Sequence, residues 1–205
     1  MVIKVTRQNI REVLLHAVNL LEKGGIVAFP TETFYGLGVK FDNEEALKKL
    51  HDIKQRPKDK AIPLIIGDMA LLDTIVASAN QKAHLLMQRL WPGPLTFLLP
   101  ARKTLSQLLT AGTGKIAVRM PGESFALRLA KAAGFAITAT SANPSGSSPA
   151  SDASAVLGYF GDRIDLIIDA GPSPGGLPST ITEVTDTGIK VLREGVIRKE
   201  LLYSL

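Results

Sequence analysis

The stretch Val27 to Gly38, Val-Ala-Phe-Pro-Thr-Glu-Thr-Phe-Tyr-Gly-Leu-Gly, constrains this chain more than any other. It belongs to an apolar run, Ile26 to Phe29, the signature of a short buried strand. Pro30 has no N–H to give a ladder, so the strand is expected to stop there. Thr31, Glu32 and Thr33 then crowd hydroxyls and a carboxylate together, and Tyr35, Gly36 and Gly38 follow. Glycine lets a backbone bend sharply or lie close to a ligand. Open α/β sheets bind ligands just beyond the ends of such strands. An ordinary turn after a strand has the same local composition, so the remaining segments decide between the two.

Those segments alternate between helical and strand patterns. Arg7 to Lys23 carries Ile10, Val13, Leu14, Ala17, Val18 and Leu21 at helical spacing, closed by Gly24-Gly25. Asp42 or Asn43 caps a second helix that ends near Gln55-Arg56, because Pro57 restricts the residue before it. Strands are expected at Ile62 to Ile66, Leu95 to Leu99, Lys115 to Arg119, Phe135 to Ala139, Ile164 to Asp169, from Ile181, and at Ile189 to Leu192. Helices are expected at Asp68 to Ser78, Asn80 to Leu90, Thr104 to Leu109, Glu123 to Ala133, Asp152 to Phe160 and Ile197 to Leu202. Thr140 to Pro149 and Gly171 to Pro178 read as loops rich in turn formers. The alternation predicts an α/β sandwich around one twisted, mixed sheet.

With 205 residues, no internal repeat and no long linker, residues 1–205 are expected to form one domain. The absence of cysteine excludes disulfides, thiolate-bound metals and a cysteine nucleophile. No apolar run approaches the roughly 20 residues that span a bilayer, and the N-terminus is too polar for a secretory signal. A cytoplasmic protein with no membrane contact is expected. The formal charge of +5 suits anionic partners. Six basic residues gather between Lys48 and Lys60.

Several strand ends carry hydroxyls and fixed cations, namely Lys54, Arg56, Lys60, Arg119 and Arg193. Guanidinium forks grip paired oxygens and lysine acts as a point charge, which is the equipment for a polyphosphate. Gly112-Thr113-Gly114-Lys115 resembles half a phosphate-binding loop, but Leu109 and Ile116 occupy two required positions. Gly36-Leu37-Gly38 lacks the third glycine of a dinucleotide fingerprint. His16, His51 and His84 show no metal-ligand spacing; His16 reads as structural and the other two as solvent-facing. Trp91 reads as a core or hinge anchor.

Seven short motifs in order resemble the YrdC-like family of threonylcarbamoyl-AMP synthases. They are Pro30-Thr31-Glu32-Thr33 with Tyr35 to Gly38, Lys54-x-Arg56-Pro57-x-x-Lys60, Trp91 to Thr96, Val118 to Pro121, Ser141 to Gly146, Pro178 to Ile181, and Arg193-x-Gly195. The resemblance runs from about Ile10 to Ile197. It implies a YrdC-like twisted, open, mixed sheet flanked by helices, with a basic concave face. It also implies a reaction in which L-threonine, bicarbonate and ATP become L-threonylcarbamoyladenylate and pyrophosphate. A separate transferase complex then modifies tRNA beside the anticodon. Some members carry a further C-terminal domain; a chain ending at Leu205 resembles the short, single-domain type.

Residue roles follow from the same resemblance. Thr31, Thr33 and Tyr35 would hold and wall the threonine pocket, with Arg119 and Ser179 clamping its carboxylate. Lys54, Arg56, Ser141 and Asn143 would form the catalytic set. Lys54, Arg56, Lys60, Ser141, Asn143 and Arg193 would hold ATP. Magnesium would accompany ATP without a dedicated protein cage. Two other readings stay open: an RNA-binding module using the basic face, and carbamoyl chemistry on another amine.

Overall fold

The structure is a computed structural model, which describes residues 1–57 and 59–205. One of the six basic residues counted above, Lys58, lies outside the described residues. The chain begins with β1 (Val2–Lys4), α1 (Ile10–Glu22), β2 (Val27–Pro30), β3 (Tyr35–Gly38) and α2 (Glu44–Lys54). Next come β4 (Leu64–Ile65), α3 (Leu72–Ile75), α4 (Gln81–Leu90), β5 (Leu95–Pro100) and α5 (Gln107–Thr110). The second half holds β6 (Lys115–Arg119), α6 (Phe125–Ala133), β7 (Ile137–Thr138), β8 (Thr140–Ser141) and α7 (Ala153–Phe160). It closes with β9 (Leu166–Asp169), β10 (Thr180–Thr185), β11 (Gly188–Arg193) and α8 (Lys199–Tyr203).

The expected α/β alternation is present, but the strands make two mixed sheets instead of one. The first runs β1-β9-β2-β3-β8 and the second β11-β10-β5-β6-β4-β7. β2 pairs parallel to β9 and antiparallel to β3, while β6 pairs parallel to β4 and antiparallel to β5. The chain passes between sheets at Ala139: β7 pairs with β4, and β8 pairs with β3. Strand partners distant in sequence decide this split, and local patterning does not encode them. The two sheets meet where Val39 N–H donates to Thr138 Oγ1 at 2.9 Å and Ala139 N–H donates to the Pro63 carbonyl at 2.9 Å.

Two apolar clusters hold the layers. In one, Val13, Ala17 and Leu21 of α1 meet Phe125, Leu129 and Ala130 of α6 and Val27 and Phe29 of β2. The other joins Leu37 of β3 to Leu47 and Leu50 of α2 and to Leu64, Phe97 and Val118 of the second sheet. Each Val, Leu or Phe among them contributes about 1.5–3 kcal/mol by leaving water. Trp91 is buried there, as a core anchor, with its ring edge-on to Phe97 at 5.2 Å and its indole N–H on the Leu95 carbonyl at 2.6 Å. The histidines partly reverse expectation. His51 is buried, with Nε2 3.2 Å from the Leu108 carbonyl, while His16 is exposed. Among the described residues no helix is long and apolar enough to cross a membrane.

Helix α2 sets the position of the lysine–arginine motif. Asn43 accepts the Ala46 N–H at 3.0 Å and fixes its start. Gln55, in the left-handed region at φ 49, ends it directly after Lys54. The chain then turns through Arg56 and Pro57 towards β4.

Candidate active site

A cleft of about 460 Å³ opens where the two sheets meet. Its floor and walls come from the ends of β2, β3, β4, β6 and β8, and from the loops before β10 and after α2. Of the residues expected from sequence, Thr31, Thr33, Tyr35, Arg56, Arg119, Ser141, Ser179 and Arg193 line it. They span more than 160 positions of sequence, so the fold alone brings them together. Lys54, Asn143 and Lys60 do not line it.

The turn between β2 and β3 is built around Thr31. Its hydroxyl donates to the Phe34 carbonyl at 2.7 Å and accepts the Thr33 N–H at 3.1 Å, with Thr33 Oγ1 also 3.1 Å away. Short polar side chains favour such turns because they bond their own backbone. Both hydroxyls are thereby fixed and buried at the cleft wall. Tyr35 is fully buried and donates its hydroxyl to the Gly171 carbonyl at 2.8 Å, tying the 171–178 loop to β3. Burial, followed by Asp169 and Asp152, pushes that phenol above its ordinary range.

Arg56 turns back on its own loop. Nε donates to the Lys60 carbonyl at 2.9 Å, Nη2 to the Ala61 carbonyl at 2.6 Å, and Nη1 reaches Thr140 Oγ1 at 3.4 Å. Lys60 therefore supports the cleft through its main chain, while its residue as a whole is exposed. Lys54 is buried, and its Nζ donates to the Ser141 carbonyl and to the Asn143 carbonyl, the latter at 2.6 Å. Burial, with a smaller push from Arg56, lowers its ammonium to about 7. A neutral amine still has two N–H groups, so both carbonyls can be served in either state. Asn143 spends its amide N–H groups on the Pro144 and Ser147 carbonyls at 2.8 Å each, shaping the 141–147 loop.

Arg119 ends β6 and is buried, with Nη1 paired to Glu32 Oε1. Among the described residues its other N–H groups meet no protein acceptor, and the residue lines the cleft. Burial lowers both Arg119 and Arg193 from the ordinary guanidinium range; Glu32 opposes this at Arg119, and Arg119 adds to it at Arg193. Guanidinium stays charged regardless, so two neighbouring cations face one cleft. Arg193 Nη2 donates to the Ser179 carbonyl at 2.8 Å and to its hydroxyl at 3.2 Å, and Thr96 Oγ1 lies 3.0 Å from that hydroxyl. Gly195 is required by this arrangement: a Cβ there would overlap the Pro178 carbonyl oxygen and press on Ser179.

Sequence reasoning assigned no role to Glu32 or Thr96. The signal for Glu32 was available, since it is the single carboxylate in a polar cluster at one strand end and Arg119 is the cation at another. Nothing local marked Thr96, which reads as an ordinary strand residue.

Fold and cleft define an α/β protein with a cleft lined by guanidinium and hydroxyl groups between two mixed sheets. The family model Sua5_yciO_yrdC, described as "Telomere recombination", matches residues 19–195. The chain belongs to the Sua5/YciO/YrdC family. It is 40% identical over 193 residues to the threonylcarbamoyl-AMP synthase of Bacillus subtilis, covering 94% of this chain and 56% of that protein. It is 41% identical over 162 residues to the threonylcarbamoyl-AMP synthase of Idiomarina loihiensis, covering 78% of this chain and 87% of that protein. The solved structure of P. abyssi Sua5 complexed with L-threonine superposes with a TM-score of 0.93 at 34% identity, over 100% of this chain and 60% of that one. The chain thus spans little more than half the length of the Bacillus subtilis relative.

Proposed function

We propose that this protein is a threonylcarbamoyl-AMP synthase, forming L-threonylcarbamoyladenylate, pyrophosphate and water from L-threonine, bicarbonate and ATP. The observation that carries the reading is the convergence of Arg56, Arg119 and Arg193 with the Thr31, Thr33, Ser141 and Ser179 side chains on one cleft. Relatives bearing that enzyme's name, and a solved relative complexed with L-threonine, support it.

Arg119 offers a planar fork for the threonine carboxylate, with the Ser179 hydroxyl beside it. Thr31, Thr33 and Tyr35 form the wall of that end. The phosphates lie towards Arg56, Ser141 and the Asn143 loop, with Lys54 setting the loop's position and charge. Lys60 adds a cation near Arg56, and Arg193 extends from Ser179 towards the phosphates. The threonine amine and bicarbonate combine to a carbamate with loss of water. A carbamate oxygen then attacks the α-phosphorus, and the bond to pyrophosphate breaks. The protein's work is to hold two anions together and to screen their repulsion.

Magnesium belongs to the substrate as MgATP. The donors of the cleft are mainly hydroxyls and guanidinium groups, and the neighbouring carboxylate, Glu32, is engaged by Arg119. Phosphate oxygens and water therefore supply the ion's ligands. The product passes to a separate transferase complex acting on tRNA in the cytoplasm.

The test is to incubate the protein with carbon-labelled bicarbonate, L-threonine and MgATP, and to separate the nucleotides. Label in an adenylate, dependent on threonine, is expected. Label absent from every nucleotide fraction would contradict the reading.

A further inference from the structure

Glu32 lies beside the cleft, paired to its lining residue Arg119, and the proposed reaction leaves it unused. It sits between Thr31 and Thr33, in a turn whose hydrogen bonds hold it rigidly. Its carboxylate reaches across the cleft's edge to Arg119, and the two side chains are 13% and 8% exposed. Oε1 takes Nη1, while Oε2 is buried and meets no donor among the described residues. Gly122 makes room for it: a Cβ there would stand 3.3 Å from Glu32 Cγ. A buried carboxylate with one oxygen unserved is costly, and the buried Arg119 together with the exposed Arg193 would already suffice to attract an anion.

Charge accounts for the arrangement. Arg119 and Arg193 both line the cleft, Arg193 feels the charge of Arg119, and among the described residues the Arg193 guanidinium bonds to neutral Ser179 atoms. Left alone, two adjacent forks favour a dianion such as phosphate over a carboxylate. The same cleft must admit a triphosphate, so an uncompensated pair would draw phosphate into the amino-acid end. One carboxylate lowers the net charge of the pair from two to one and occupies one arm of Arg119.

We propose that Glu32 is a charge filter. It reserves the open edge of Arg119 for a singly charged carboxylate and keeps phosphate out of the amino-acid end. It is a specificity-determining and positioning residue, and the inference rests on the reading that Arg119 receives the threonine carboxylate.

Calorimetric titration of inorganic phosphate into the wild-type chain and into Glu32→Gln tests this without requiring turnover. Glutamine keeps an oxygen for Nη1 and removes the charge. The variant is expected to bind phosphate about tenfold more tightly, with threonine displacing it. Equal phosphate affinity in the two proteins, or added phosphate that threonine does not displace, would overturn the proposal. Glu32→Asp covers a Gln variant that fails to fold: it keeps the charge on a shorter arm. It is expected to exclude phosphate as the wild type does while binding threonine less tightly. Phosphate binding as tight as expected for Gln would overturn the proposal equally. A wild-type chain that binds phosphate weakly but makes no adenylate would count against the proposed reaction and not against the filter.

Discussion

The Nζ of Lys54 donates to the main-chain carbonyl of Asn143 at 2.6 Å, joining the last turn of α2 to the loop that follows β8. The same amine holds the Ser141 carbonyl, and the Ser145 N–H returns to the Lys54 carbonyl at 3.0 Å. One residue thus staples three positions of the loop that begins with Ser141 at the cleft wall.

Lys54→Met removes that staple while filling most of the volume. Two carbonyls lose their partner, and the buried one, of Asn143, costs about 1–3 kcal/mol if left unserved. A lowered melting temperature and faster amide exchange across Ser141 to Ser147 are expected. An unchanged melting temperature with unchanged exchange would show that the loop holds itself.

The same lysine gives a pH dependence whose sign can be worked out. Burial lowers it from its ordinary 10.5 to about 7 in the fold. Between those values the unfolded chain binds the proton and the folded chain does not, so stability rises with pH there. Below about 7 both states are protonated and that slope disappears. On the proposed reading, phosphates bound across the Ser141–Asn143 loop raise it again, so ATP binding is expected to take up a proton near neutral pH and to weaken as pH climbs towards 9. Calorimetry in two buffers of different ionisation heat measures the uptake, and Lys54→Met abolishes it. Identical heats in both buffers for the wild type would contradict the assignment.

Gly195→Ala tests how the end of β11 shapes the amino-acid end. The added methyl overlaps the Pro178 oxygen and displaces Ser179, whose hydroxyl faces Arg193. A loss of about 1–3 kcal/mol in stability is expected from overpacking. The threonine KM should rise more than the ATP KM. Gly38→Ala is the control: its Cβ would stand 2.7 Å from Phe29 and from Ile137, away from the cleft. It should lower stability without shifting the ratio of the two KM values.

Tyr35→Phe deletes one hydroxyl that bonds Gly171. A neutral hydrogen bond of this kind contributes about 0.5–1.5 kcal/mol, and the Gly171 carbonyl is left to find another donor. A small fall in melting temperature is expected, together with faster proteolysis in the 171–178 loop. Protection of that loop equal to the wild type would assign Tyr35 to the core alone.

Much of the architecture was legible in the residues. Asn43, Gln55-Arg56 and Pro57 bounded α2, and Gly24 and Gly134 closed α1 and α6, because caps and breakers act locally. Tyr35 to Gly38 was not recognisable as a strand. Two of its four residues are glycine, and Gly38 is demanded by Phe29 and Ile137, which approach from elsewhere in the chain. β1 is three residues long and gains its place only by pairing with β9. The helix expected from Asp68 to Ser78 is broken into a 3-10 turn at Met69–Leu71 and the short α3.

The site divides in the same way. Motifs at strand ends pointed to one cleft because open sheets gather their strand ends. Sequence could not show that Lys54 would be spent on main-chain carbonyls, or that Lys60 would act through its backbone. Glu32 and Arg119 were each visible as a lone charge at a strand end, but only the fold brings them together across 87 positions.

The most direct measurement of the central claim is pyrophosphate release from MgATP, with L-threonine and bicarbonate each omitted in turn. Release that requires both is predicted, since the proposed reading puts an amino-acid carboxylate and a triphosphate side by side in the cleft. Release that persists without threonine, or none with all three substrates present, would contradict it.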